Sequence, residues 1–241
     1  TTEIYTLSLH DALPISMTPD ELDKLEDNLR APALNVRITA LNTLAAQPAT
    51  VAIPILQRLS QDNSFLIRRL AAMGFGNQAP DQSAFENLQA LITTETDANV
   101  LAEIANSIYE FGDPSIPLLV QMFEANDNWL LRQTILSLLQ ESNHPDVLLT
   151  VALKALDDPT QTVKETAILS LRQVLMSPLQ TEALTALATL AVSPTWRDRW
   201  RAATALTGCD HPQAVALLST LQTDENHYVV AAALDASMGG G

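Results

Sequence analysis

A short pattern of residues recurs along most of this chain, and it constrains the fold more than any other feature. An apolar residue precedes a position that is basic in four of the first five copies and is Ala102 in the third. A small or apolar residue follows three positions later, and another apolar residue four positions after that. Five copies begin at Val36, Ile67, Leu101, Leu131 and Val163, so consecutive starts differ by 31, 34, 30 and 32 residues. A sixth copy, in an imperfect register, lies at 198–206, and a half copy begins at Tyr228. Such a period indicates stacked supersecondary units.

Turn-forming residues divide each copy into two helical segments. Asp, Asn or Pro precedes the copies, at 31–32, 62–63, 96–97, 126–128, 157–159, 193–194 and 224–226. A second break, often with proline, follows the first segment of a copy, and the apolar residues beyond it recur at helical spacing. Thr18 and Pro19 suit the cap and first turn of an initial helix. The sequence therefore predicts helix, turn, helix and tight turn, repeated about six times.

Composition agrees with an all-α fold. Ala and Leu dominate, only 5% of residues are aromatic, and three of the 7 glycines form the terminal run 239–241. A single helical hairpin cannot bury both of its apolar faces, whereas stacked hairpins can. We therefore predict one domain over residues 17–237, a right-handed α-solenoid of about six helical hairpins, followed by a flexible tail at 238–241.

Residues 1–16 have a different origin in our interpretation. The stretch from Thr1 to Ser16 resembles the translation of a widely used sequencing-library adapter along its whole length, and Met17 follows it. A signal peptide is the competing interpretation, but the stretch has no basic region and carries Glu3, His10 and Asp11. We predict a non-native, disordered extension that takes no part in the fold.

The copies resemble HEAT-like repeats of the phycobilisome-lyase type. The resemblance rests on Asn35-Val36-Arg37, Ile53-Pro54, Ile116-Pro117 and the run 202–206, Ala-Ala-Thr-Ala-Leu. It implies a helical solenoid and, as the first functional expectation, a non-enzymatic protein–protein interaction scaffold. The alternative that it implies is a phycobilin lyase subunit or a bilin-handling or degradation factor in a photosynthetic bacterium. That protein would bind phycobilin transiently and have a phycobiliprotein as its partner.

Charge and motifs exclude several other classes of function. A net charge of -15 disfavours binding to a nucleic-acid backbone, and no apolar run approaches the ~20 residues of a membrane span. One cysteine precludes an internal disulfide and favours the cytoplasm. Cys209 near His211 would suit an activated thiol, but we interpret the cysteine as a small apolar filler, and His144 and His211 as turn residues. We predict no catalytic residue, no metal ligand and no resident cofactor.

Basic residues recur at one position of the repeat. They form either a charged stripe on one face or a structural ladder in which each cation meets an acid of a neighbouring turn, such as Asp62, Asp127 or Asp158. The acids recur in step with the cations, so we predict the ladder, with these basic members: Arg37, Arg68, Arg132 and Lys164.

The segment 194–201 concentrates tryptophan and arginine. Trp196 and Trp200 share a helical face at i,i+4, as do Arg197 and Arg201, and both residue types are enriched at interface hot spots. Two interpretations stay open: an acidic partner or a carboxylate ligand binds this segment, or the indoles pack between repeats and the arginines pair with local acids. The candidate partner-binding residues are Trp196, Arg197, Arg199, Trp200 and Arg201. We expect Trp129, by contrast, to lie in the core.

Overall fold

The computed structural model describes residues 17–238, and within that range the chain is helical without a strand. The predicted all-α fold of repeated helical hairpins is confirmed. A single turn of 3-10 helix, Asp113–Ser115, precedes α7. The α-helices are α1 Pro19–Leu29, α2 Leu34–Ala45, α3 Ala49–Leu59, α4 Phe65–Gly76, α5 Gln82–Thr94, α6 Ala98–Tyr109, α7 Ile116–Ala125, α8 Trp129–Glu141, α9 Pro145–Ala155, α10 Gln161–Leu175, α11 Gln180–Leu190, α12 Trp196–Ala205, α13 Pro212–Leu221 and α14 His227–Met238.

The predicted terminal segments lie largely outside the described residues, which include neither the adapter-like stretch 1–16 nor the end of the chain, 239–241. Helix α14 ends at Met238, one residue beyond the predicted end of the repeats at 237. The chain divides into two compact units, one up to Phe111 and one from Gly112 onward.

Side-chain caps explain why the helices begin where they do. The Thr18 hydroxyl accepts a hydrogen bond from the backbone N–H of Glu21, and the Glu21 carboxylate accepts one from the backbone N–H of Thr18, which completes a capping box. Asp81 and Asp97 accept backbone N–H groups in the first turns of α5 and α6. The ring nitrogen Nδ1 of His211 accepts the N–H of Gln213 at 3.2 Å and caps α13. His211 is therefore a turn residue, as predicted.

In the first unit, α2, α4 and α6 pack side by side, α3 and α5 form a second layer behind them, and α1 packs on α2. Helices α4 and α6 approach closely because Gly76 lacks a side chain. A Cβ added there would lie 2.8 Å from the Cβ of Ser107. The largest fully buried side chains of this unit include Phe75, Ile104 and Ile108.

In the second unit, α8, α10, α12 and α14 form one layer, and α9, α11 and α13 pack behind them. Buried Leu, Val, Ile and Ala side chains fill the space between the layers, so small residues set the helix spacing. The first turns of neighbouring helices in this layer contact one another. Lys164 of α10 pairs with Asp198 of α12, and Trp196 of α12 stacks on Tyr228 of α14.

The expectation that Trp129 lies in the core is wrong. Trp129 is the first residue of α8 and is 48% exposed. Leu34 and Phe65 hold the same position in α2 and α4 and are also exposed. The first residue of a helix in these layers lies at the end of the packed face, so its side chain is left largely uncovered by the neighbouring helix.

Candidate partner-binding surface

In α4 and α8 the basic residue of the repeat anchors the helix to the loop before it. Arg68 donates from Nη1 to the carbonyl oxygen of Asp62 at 3.0 Å and from Nε to the Glu95 carboxylate at 2.7 Å. Arg132 repeats this arrangement, with Asn126 O at 2.7 Å and Asp158 Oδ2 at 2.6 Å. One guanidinium thus joins its own loop to the loop that precedes the next helix of the layer.

The predicted ladder is confirmed in its principle and corrected in its partners. Asp158 pairs with Arg132 as expected, whereas the side chain of Asp127 is exposed and the loop contact of Arg132 comes from Asn126 instead. Asp62 gives Arg68 a backbone carbonyl rather than its carboxylate. The two other predicted members differ. Among residues 17–238, Arg37 donates only to the carbonyls of residues 31 and 32, and Lys164 pairs with Asp198 at 3.0 Å.

Arg199, one of the candidate partner-binding residues, is a further member of this ladder, in agreement with the alternative that the arginines pair with local acids. It donates from Nε and Nη2 to both carboxylate oxygens of Asp224 at 2.7 and 3.0 Å, and from Nη1 to the carbonyl of Ser193 at 2.8 Å. The residue is only 8% exposed. Its spacing to Ala202 and Leu206 is that of the other copies, so the register signal was present in the sequence.

Hydrogen bonds from the ladder arginines shift the pKa values of their acids. The Arg199 guanidinium lowers the pKa of Asp224 below its ordinary value, and the backbone N–H of Asn226 adds to this. Burial by itself would raise the pKa of Glu95. The hydrogen bonds that Glu95 accepts from Arg68 and from the backbone of Asp97 outweigh burial, so its pKa is also lowered.

Asp198 occupies a position that other repeats fill with an apolar side chain, as at Ile67 and Val163. It is 1% exposed, and its Oδ2 accepts a hydrogen bond from the Ser193 hydroxyl at 2.9 Å beside the Lys164 ammonium. Its Oδ1 is buried without a hydrogen-bond partner among the described residues. Asp198 and Arg199 together tie the first turn of α12 to its own loop, to α10 and to the loop before α14.

The outward face of the same turn carries the tryptophans. Trp196 and Trp200 lie with ring centroids 6.0 Å apart. The Arg201 guanidinium stacks over the Trp200 ring at 3.9 Å and donates twice to one oxygen of Glu165, at 2.9 and 2.7 Å. Arg197 lies 5.4 Å from the Trp196 ring and 3.6 Å from the other oxygen of Glu165, and its side chain is 53% exposed.

Tyr228 extends this surface and was missed in the sequence. Its ring stacks on that of Trp196, with centroids 5.5 Å apart and planes at 23°, and the residue is 53% exposed. Tyr228 is the second residue of α14, as Arg197 is of α12, so an alignment of the half copy with the sixth copy would have placed it beside the tryptophans. We call this surface the α12–α14 patch: Trp196, Arg197, Trp200, Arg201 and Tyr228.

The structure thus brings four of the five predicted residues together and separates the fifth. Trp196, Arg197, Trp200 and Arg201 share the outward face of α12, while Arg199 points into the ladder. The separation of Arg199 follows from helical geometry. Residues i and i+4, such as Arg197 and Arg201, share a face of the helix, and the residue midway between them does not.

A cleft of about 460 Å³ lies in the first unit, between α4 and α6. Its lining includes Glu103, Glu110, Asn77 and Asn106, and Glu103 accepts a hydrogen bond from Arg69 at 2.8 Å. The surplus of carboxylates gives the cleft a negative charge, which opposes an anionic ligand such as a bilin propionate.

The described residues also bear on metal binding, on the cysteine and on membrane insertion. Residues 17–238 hold no group of three His, Cys, Asp or Glu side chains placed to bind a metal ion. Cys209 is half-buried, and the neighbouring His211 uses Nδ1 as a helix cap. Over the same residues, every helix is too short or too polar to cross a bilayer.

Comparisons with known proteins agree with the architecture. The sequence profile for HEAT repeats matches residues 54–140, which is 87 of the 241 residues. The structure is similar to YibA of Escherichia coli, with a TM-score of 0.64 and 14% identity over 90% of this chain and 81% of that one. It is also similar to Kap121p bound to RanGTP, with a TM-score of 0.54 and 18% identity over 95% of this chain and 29% of Kap121p.

These similarities identify the fold and no more, because the identities are low. A further similarity, to the complex of CpcE and CpcF of phycocyanin lyase from Nostoc sp. PCC7120, has a TM-score of 0.47 and 14% identity over 99% of this chain and 100% of that one. A score at that level carries no argument for bilin chemistry. No curated protein matches the chain in sequence. The chain therefore has the all-helical HEAT-repeat type of fold, and bilin handling stays a prediction.

Proposed function

We propose that this protein is a non-enzymatic interaction scaffold that binds a partner protein through the α12–α14 patch. The observation that carries the proposal is the division of one helical turn into two faces. Asp198 and Arg199 fix the turn from within, and on its outer side Trp196 contacts both Arg197 and Tyr228.

Rigid support matters for binding because ordering side chains at an interface costs free energy. Here the Trp196 ring is already stacked on Tyr228 and lies in tilted contact with Trp200, and Glu165 holds Arg201 against Trp200. Tryptophan, tyrosine and arginine are also the residues that most often dominate interface energies. The patch therefore has both the composition and the preorganisation of a binding surface.

Site-specific photo-crosslinking in the native cell tests the proposal. A benzophenone amino acid replaces Thr195, exposed just before α12, in one variant and Arg172, exposed in the last turn of α10, in a matched control, so that every residue of the patch is kept. We expect a discrete crosslinked partner from position 195 that is absent from position 172 and is lost on Tyr228→Ala. Equal products from both positions, or none from position 195, would contradict the proposal.

The resemblance to phycobilisome-lyase repeats leaves bilin handling as the alternative. Mixing the purified protein with a free phycobilin tests it, because a bound bilin changes its visible absorption. The scaffold proposal expects an unchanged spectrum, and the acidic cleft between α4 and α6 supports that expectation.

A further inference from the structure

We propose that the partner presents an apolar segment with one carboxylate, which lays its apolar side chains on Trp196 and Tyr228 and its carboxylate on Arg197. This inference rests on the proposed function and specifies the chemistry of the partner. It also reduces the three candidate arginines of the sequence, Arg197, Arg199 and Arg201, to one that binds the partner's carboxylate.

Only one of the three arginines is available to a ligand. Arg199 donates its hydrogen bonds to Asp224, Glu225 and the carbonyls of its own loop. Arg201 is held by Glu165 and the Trp200 ring.

Arg197 differs from both neighbours. It donates no hydrogen bond to any residue in the described range, and its one ion-pair contact, to Glu165, is 3.6 Å long. Glu165 already accepts two hydrogen bonds from Arg201. A guanidinium has five donors in a planar fork, so Arg197 can bind one carboxylate in bidentate fashion.

The apolar part of the site adjoins that guanidinium. The Trp196 ring contacts both the half-exposed Arg197 and the half-exposed Tyr228. An apolar side chain seated there would cover aromatic surface, and by excluding water it would strengthen the ion pair at Arg197.

The surrounding charges disfavour the other occupants. A tract of several acids would meet one free cation and the exposed carboxylate of Glu225, on a chain of net charge -15. A lysine-rich segment would meet Arg197, and the Trp200 face that could attract a cation already holds the Arg201 guanidinium at 3.9 Å.

Peptide titration tests the inference. Trp129→Phe serves as the background, so that the remaining indole fluorescence comes from Trp196 and Trp200. The probes are a short Leu/Phe peptide with one central Glu, the same peptide with Gln, an oligoglutamate and an oligolysine. We expect the Glu peptide to bind at least about tenfold more tightly than the Gln peptide, which is the contribution of one charged hydrogen-bonded pair.

Two variants assign that preference to Arg197. Arg197→Ala removes the difference between the Glu and Gln peptides, and Arg197→Lys, which keeps the charge without the fork, retains part of it. Arg172→Ala is the matched control and leaves the difference unchanged. Equal affinity for the Glu and Gln peptides, or tighter binding of oligoglutamate or oligolysine, would overturn the inference.

The outcome separates this inference from the proposed function. If crosslinking from position 195 captures a partner and none of the probes changes the fluorescence, the scaffold proposal stands and the single-carboxylate chemistry is wrong. If neither experiment gives a product or a signal, both are wrong. Binding of the Glu peptide that depends on Arg197 supports the chemistry stated here.

Discussion

The first turns of α4 and α12 occupy the same place in two copies of the repeat, one in each compact unit. In both, the fourth residue is an arginine that binds carbonyls of the preceding loop and an acid of the next loop: Arg68 with Glu95, and Arg199 with Asp224. The neighbouring positions differ. Helix α4 has Ile67 buried and Arg69 paired with Glu103, whereas α12 has a buried Asp198 and an outward Trp200.

The difference shows which positions of the repeat make the scaffold and which are free to vary. The fourth-position cation holds the loop in both helices, so its role is structural. The first, second and fifth positions face outward, and in α12 they hold Trp196, Arg197 and Trp200. Function on a repeat protein is expected at such variable outward positions.

The largest expected effect is the loss of the structural arginine. Arg199→Ala should lower the free energy of unfolding by about 3 kcal/mol, because it leaves the Asp224 carboxylate and two loop carbonyls without their donor. Urea unfolding followed by tryptophan fluorescence measures it, since all three tryptophans lie in the second unit. Arg68→Ala should act in the same direction, measured by circular dichroism, and less strongly because Arg68 is more exposed.

Arg197→Ala is the matched control for that pair of variants, because it removes an arginine two residues away on the outer face. An unfolding free energy for Arg199→Ala equal to that of Arg197→Ala would show that the fourth position is not structural.

The next effect concerns the buried acid. Lys164→Met should destabilise the fold by about 2 kcal/mol, because it leaves Asp198 buried without its cation. Adding Asp198→Val gives this turn the apolar residue of the other repeats and should return stability to the wild-type level or above it. Urea unfolding of the single and double variants shows whether the loss of stability comes from the uncompensated charge of Asp198. A double variant as unstable as Lys164→Met alone would mean that the cost does not come from the uncompensated charge.

A smaller effect should appear as the pH falls. The pKa values of Asp224 and Glu95 are lowered in the folded protein, so their contribution to stability is present above the unfolded values, about 3.9 and 4.3, and is lost as the pH falls through the lowered values. We expect Asp224→Asn and Glu95→Gln to flatten the decrease of melting temperature with acid. Unchanged slopes in both variants would contradict the ladder as a source of pH dependence.

The smallest expected effect on stability belongs to the exposed arginine. Arg197→Ala should change the free energy of unfolding by no more than about 0.5 kcal/mol, as is usual for an exposed ion pair. Arg201→Ala should cost somewhat more, because the half-buried Glu165 loses two hydrogen bonds. If the two variants melt alike and well below the wild type, both arginines are structural.

The helices could be predicted from the sequence because residues next to their ends determine where they begin and stop. Caps such as Thr18 and Asp97 and the prolines at the starts of α9 and α13 mark boundaries within a few residues. The roles of Arg199 and Tyr228 depend on contacts with Asp224 and Trp196, which are 25 and 32 positions away in the sequence. Those contacts follow only from the register of stacked repeats, which Asp198 obscures by replacing an apolar residue.

The double variant Arg197→Ala/Tyr228→Ala tests most directly the claim that one turn has a structural inner face and a binding outer face. Its free energy of unfolding and its affinity for the partner captured at position 195 would be measured on the same preparation. We predict an unfolding free energy within about 1 kcal/mol of the wild type and an affinity at least about tenfold weaker. A fall of several kcal/mol in stability, or an unchanged affinity, would contradict the claim.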